Sequence, residues 1–129
     1  MPVITKENTM KVVSVATLRP NAPGITYVGR NWQGWRASVL GNPHHLRNCP
    51  ICRRDHERGE TLTLYREWLR AEWVKHGAVK AELLRLARLE KAGQEVTLGC
   101  WCKHHGAATP CHADVIMDVV RTLVEKGIV

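Results

Sequence analysis

Cys100-Trp101-Cys102 and, nine residues further on, Cys111-His112 place four thiol or imidazole groups within thirteen residues. Such groups either hold a metal ion or pair as nucleophile and base. A second pair, Cys49-Pro50-Ile51-Cys52, lies in a charged, turn-rich stretch, so all five cysteines fall into two tight clusters. Scattered core cysteines would not group this way.

Cys100 and Cys102 are two apart on an extended segment, so they point to one side while Trp101 points to the other. Cys111 and His112 stand just before the last helix, where unpaired amide N–H groups and the positive end of the helix dipole favour a thiolate. Cys100 and Cys111 are therefore candidate nucleophiles or metal ligands, with His112 as acid or base. His104 and His105, in the connecting loop, can join either arrangement.

The two-residue spacing of Cys49 and Cys52 lets both sulfurs approach one ion, and His56 follows four residues later. The fourth ligand of such a zinc knuckle is His44 or His45, or a distant thiol such as Cys102. We take Cys49, Cys52, His56, His45 and Cys102 as the metal candidates and zinc as the cofactor. A redox disulfide is the rival reading, but no βαβ context precedes the motif and a proline separates the cysteines. Unligated small hydrophobic residues fit so polar a segment least.

The elements that must position these groups can be read from periodicity. Lys11–Leu18 and Ile25–Val28 read as strands, and Glu95–Gly99 as a third leading into Cys100. Thr61–His76, Val79–Ala92 and Ala113–Lys126 read as helices, with glycines 77, 93 and 127 closing them. Leu62, Tyr65, Trp68, Leu69 and Trp73 share a face of the first. Val79, Leu83, Leu86 and Ala87 mark the buried side of the second, and Ile116, Val119, Val120 and Leu123 that of the third. Residues 31–60 lack regular structure. A loop of that length is unusual in a compact domain unless something clips it together, and a metal would serve.

The expected fold is a small single-domain α/β sandwich: a few-stranded sheet, about three helices and a long zinc-braced loop. Residues 1–10 read as a flexible N-terminus and 11–129 as one domain with a loop insertion at 44–59. Ligands of α/β sheets bind beyond the carboxyl ends of the strands, and the Cys100–His112 turn is such a place. Gly29-Arg30 would face the same crevice if its strand runs parallel. Gly29, Arg30 and Asn42 are the ligand-binding candidates, Arg30 as a fixed cation for phosphate or carboxylate. Its alternative is an internal ion pair or a helix cap.

The chain of 129 residues carries a formal charge of +7. That balance favours anionic partners, either a small molecule or nucleic acid; arginines merely coating helix faces are the plainer account. Trp32 and Trp35, beside Arg30 and Arg36, could stack on bases, or could cover the edge of the sheet. No run approaches a membrane span and the first residues lack a secretory signal, so we expect a soluble cytoplasmic protein, with an odd cysteine count suiting zinc or free thiols in a reducing compartment.

Tyr27-Val28-Gly29-Arg30, Gly41-Asn42-Pro43, Leu64–Leu69, Leu98–Cys102 and Cys111–Ile116 together resemble a small domain family of bacteria and their phages, known only as a domain of unknown function. The resemblance covers roughly residues 25–124 and implies a bacteriophage or bacterial setting, a host-cell cytoplasm in the phage case. It departs from the family pattern in Leu40 and His44, where aromatic residues commonly flank Gly-Asn-Pro. His44–Gly59 resembles an insertion relative to shorter members. The leading functional expectation is a zinc-holding binding or regulatory module. The alternatives are an enzyme acting on a nucleotide, nucleoside or phosphorylated small molecule, and a nucleic-acid-binding protein.

Overall fold

A computed structural model of the protein describes residues 10–31, 33–101 and 111–129. Three short strands, β1 (Lys11–Ser14), β2 (Thr26–Tyr27) and β3 (Thr97–Cys100), form a parallel sheet in the order β1-β3-β2. Among the described residues three helices accompany the sheet: α1 (Arg58–Val74), α2 (Ala78–Lys91) and α3 (His112–Glu125). This is the small α/β architecture expected.

β3 takes the centre because every one of its residues is buried, as parallel strands covered on both sides require. Leu98 pairs with Val12 on one side and Thr26 on the other; Gly99 pairs with Val13 and Tyr27. Gly99 has no room for a side chain. A Cβ there would lie 2.6 Å from Val15 Cγ1 and 2.7 Å from Ile25 Cγ2, so even alanine would push the flanking strands apart.

β1 is shorter than its run of β-branched residues predicts. The Ser14 hydroxyl accepts the Ala16 N–H, and that local bond turns the chain while Val15 N–H still donates to Cys100 O at 3.2 Å.

α2 and α3 pack most closely, and α3 also lies on β1 and β3. Leu83, Leu86, Ala87, Ile116, Val120 and Leu123 are buried as their helical spacing predicts. From α1, Tyr65 and Leu69 enter the same core while Leu62, Trp68 and Trp73 lie partly buried against it. Met10, just ahead of β1, is buried there too.

α1 differs from its expected span at both ends. It begins three residues early, at Arg58, directly behind His56, and it stops at Val74 rather than running to Gly77. His76 takes a left-handed conformation (φ 56°) that ends the helix, leaving Gly77 to start α2. α2 and α3 each end with a left-handed glycine, Gly93 and Gly127. In both, the next residue donates back to a leucine carbonyl, Leu89 or Leu123.

The described chain from Gln33 to Glu57 holds no helix or strand, only turns, bends and one isolated bridge at Trp35, much as expected. Trp35 within it is 1% exposed and packs on Tyr27 of β2, ring centroids 5.0 Å apart. It covers the sheet edge and offers no surface for stacking a base. Trp32 lies outside the described residues. No described helix is long and apolar enough to cross a membrane.

Candidate metal centre and adjoining pocket

The segment from His44 to Glu60 folds back on itself through its own backbone. His56 N–H donates to Leu46 O (2.7 Å), Cys49 N–H to Arg54 O (3.0 Å) and Arg53 N–H to Cys49 O (2.7 Å). Asp55 tightens the turn by accepting from Asn48 N–H (2.9 Å) and from Arg47 (3.1 Å). At the mouth of this turn four side chains converge: His44, Cys49, Cys52 and His56, whose donor atoms all lie within 4.8 Å of one another. His44 Nδ1 is 3.6 Å from Cys49 Sγ and 3.7 Å from Cys52 Sγ.

His56 shows that the group suits an ion. Its side chain is fully buried; Nδ1 meets Glu60 Oε1 at 2.7 Å, while Nε2 is buried beside the cluster thiols with no hydrogen bond of regular geometry among the described residues. A buried imidazole nitrogen without a partner costs about 1–3 kcal/mol, and a metal ion would occupy it. A carboxylate on the far nitrogen is the usual support of a metal-bound histidine. Glu60 is itself held by Arg54, whose guanidinium and the His56 ring keep its carboxyl down to about 2.

The two thiols are driven apart. Burial acts to raise the Cys49 thiol, but the backbone groups of Cys52, His45 and Ile51 and the His44 ring outweigh it and bring it to about 5. Cys52 is pushed up, by burial first and then by the Cys49 charge. A bound cation would favour the thiolate at both.

The second cysteine cluster has a different construction. Cys111 is the N-cap of α3: its Sγ accepts the Ala113 N–H at 3.4 Å and its own N–H donates to Asp114 Oδ2 at 3.1 Å. Its thiol donates to Cys100 Sγ, 2.9 Å away at the end of β3. His112 Nε2 lies 2.6 Å from Val28 O, and the ring stands edge-on to Tyr65 at 5.3 Å. A carbonyl only accepts, so Nε2 carries the proton and Nδ1 presents its lone pair, 3.8 Å from Cys111 Sγ. Tyr65 in turn donates to Leu40 O, and burial holds its phenol well above the usual range, so it stays a neutral donor.

Between the clusters lies a pocket of about 560 Å³ at the carboxyl ends of β2 and β3, where the topology of α/β sheets puts ligand sites. Tyr27, Gly29, Arg30 and Asn31 come from the end of β2, Trp101 from the end of β3, and Cys111 and His112 from the start of α3. The opposite wall is Asn42 and His44–Leu46 from the metal loop, with Arg58, Thr61 and Leu62 from α1.

Two glycines allow these walls to meet. A Cβ on Gly29 would strike the Tyr27 ring, and one on Gly41 would come within 3.0 Å of Gly29 O. The Asn42 Oδ1 accepts the His44 N–H at 2.9 Å and so fixes the turn that delivers the histidine.

All three residues expected to bind ligand, Gly29, Arg30 and Asn42, thus line one pocket together with Cys111 and His112. Cys49, Cys52 and His56 converge in a group that could hold a metal ion, and its fourth member is His44, where His45 was expected. His45 faces the pocket, where burial and then Arg30 lower its pKa. Cys102, His104 and His105 lie outside the described residues. Cys100 sits beside Cys111 and not in the metal group.

Sequence reasoning did not single out Tyr27, Arg58, Trp101 or Glu60. Glu60 had a signal, since it follows His56 by one helical turn. The other three are brought in only by the way the metal loop folds back over the sheet edge.

Comparison with curated proteins and with solved structures gave no match. Residues 15–122 match the DUF4326 domain of unknown function, and the chain belongs to that family.

Proposed function

We propose that the chain is a zinc-braced binding module, in which the metal holds the long loop against the sheet as one wall of a pocket for a small anionic ligand. The convergence of two thiols and two imidazoles on one point carries this reading. Zinc bonds sulfur at about 2.3 Å and nitrogen at about 2.0 Å, which in a tetrahedron spaces S and N neighbours about 3.5 Å apart. His44 Nδ1 lies 3.6 and 3.7 Å from the two sulfurs. Four protein ligands leave no open position, so the ion supplies structure and not chemistry.

Its effect reaches the pocket through the chain. His44 is both ligand and wall; His45 and Leu46 follow it directly, and Arg58, Thr61 and Leu62 come just after His56. Metal analysis of the purified chain should give about one zinc per molecule, and chelation should unfold the loop and empty the pocket. A metal-free chain with reactive thiols and an unchanged fold would sink the proposal.

A catalytic reading rests on one observation, the lone pair of His112 Nδ1 turned toward Cys111 Sγ at the pocket wall. There His112 would take a proton from the Cys100–Cys111 thiol pair once the Cys111 thiol turns from Cys100 to Nδ1, and leave a Cys111 thiolate to attack a bound electrophile. Alkylation of Cys111 by iodoacetamide at neutral pH, lost in Cys111→Ser and slowed in His112→Gln, is the expected signature.

A further inference from the structure

We infer that the pocket binds a phosphorylated planar heterocycle of nucleotide size, its phosphate held by Arg30 and Arg58 and its ring against Tyr27 and Trp101. The inference rests on the metal-braced reading of the pocket and names the ligand that reading leaves open.

Charge comes first. The described lining holds two arginines and three histidines and no carboxylate. Of the carboxylates nearby, Asp114 caps α3 and Glu60 is bound to Arg54 and His56. Neither the Arg30 nor the Arg58 guanidinium forms an ion pair among the described residues, a state shared with most of the arginines, and these two are the ones that line the pocket. Two guanidiniums lining one pocket, one after β2 and one on the first turn of α1, suit the planar fork of contacts that phosphate oxygens accept. The N-terminus of α3 is not the anion site, because its own cap and the Asp114 carboxylate already occupy it.

Shape and polarity come second. The volume falls within the roughly 300–1,000 Å³ of small-molecule sites, far larger than a lone phosphate needs. Its apolar surface is aromatic where it is closest to the sheet. Tyr27 is fixed by Trp35 packed on it and by its hydroxyl donating to Arg30 O. That same bond ties the ring wall to the residue carrying the cation. Trp101 brings a second ring, whose Nε1 is buried with no hydrogen-bond partner. Aromatic side chains bind bases by their π-faces. Asn42 Oδ1 is spent on His44 N–H, which leaves the amide donor for the pocket the residue lines. The two guanidiniums and the Asn42 amide offer donors, as an anionic, acceptor-rich ligand requires.

The test is calorimetric titration of the metal-loaded full chain with the common nucleoside monophosphates, their nucleosides, ribose 5-phosphate and inorganic phosphate. At least one monophosphate should bind, and bind about tenfold or more tightly than its nucleoside and than ribose 5-phosphate. Arg58→Gln and Arg30→Gln should each weaken it by about tenfold or more while metal content and melting temperature stay at wild-type values, and added salt should weaken it further. Absence of binding by a chain carrying one metal would overturn the inference. So would affinity matched by ribose 5-phosphate, which removes the ring, or affinity unchanged in both arginine variants, which removes the clamp. Binding by a chain that holds no metal would sustain the ligand assignment and sink the brace instead.

Discussion

His56 and His112 are both buried histidines beside cysteines, yet their surroundings differ in completeness. His112 is satisfied by protein alone: Nε2–H reaches Val28 O, and the neighbouring Cys111 is engaged as the cap of α3. His56 has a carboxylate on Nδ1 and, among the described residues, only the cluster thiols and no regular hydrogen bond at its buried Nε2. The cluster around His112 therefore needs no ion to be stable, whereas the one around His56 is left with an unmet polar atom and two thiols unless an ion enters. Cysteine spacing alone does not separate these cases. The accounting of hydrogen-bonding capacity does.

The largest consequence is for the metal loop. Cys49→Ser should abolish metal binding and loosen residues 42–57, because structural zinc supplies about 10–16 kcal/mol of apparent folding free energy in small sites. Elemental analysis together with amide exchange across the loop measures this. Retained metal in Cys49→Ser would break the contrast at its root.

His112→Ala should act the other way. It leaves Val28 O without its donor and opens a cavity under Tyr65, a loss of about 2–4 kcal/mol in thermal or denaturant melting, with metal content unchanged. If this variant instead lost the metal, the two clusters would be one site. Glu60→Gln should sit between the two behaviours. The fold should survive, but with His56 no longer oriented by a carboxylate, metal affinity should fall about 10–100-fold in competition with a chelator.

Much of this could be read in the chain. The helices were legible because Leu83, Leu86 and Ala87, or Ile116, Val120 and Leu123, repeat at helical spacing beside glycines that close each helix. β3 was legible as the run into Cys100, and its parallel pairing on both sides was not, because register depends on partners distant in sequence. Cys49, Cys52 and His56 announced themselves by local spacing. The choice of His44 over His45 did not, since adjacent residues offer the same chemistry. It is settled by the Asn42 side chain capturing the His44 N–H and turning the chain. Arg58 was invisible as a site residue because nothing in its own neighbourhood says that the loop closes over it, and Trp101 was hidden because strand alternation turns it away from its flanking cysteines, whereas it lines the pocket.

The smallest expected effect lies outside both clusters and serves as their control. Lys11 and Glu95, at the entries to β1 and β3, form an exposed ion pair at 2.7 Å. The Lys11 ammonium, by hydrogen bond and by charge, holds the Glu95 carboxyl below its ordinary 4.5. A carboxyl lowered in the folded state binds fewer protons there than in the unfolded chain, so its stabilisation is complete above the ordinary value and is lost as pH falls through the folded one. Glu95→Gln should remove that small acid-side slope in stability and leave metal content and ligand affinity untouched, since an exposed pair is screened by water and salt. If it instead shifted metal binding, the strand entries would be coupled to the loop. The metal's influence would then extend through the whole sheet rather than ending at the pocket wall.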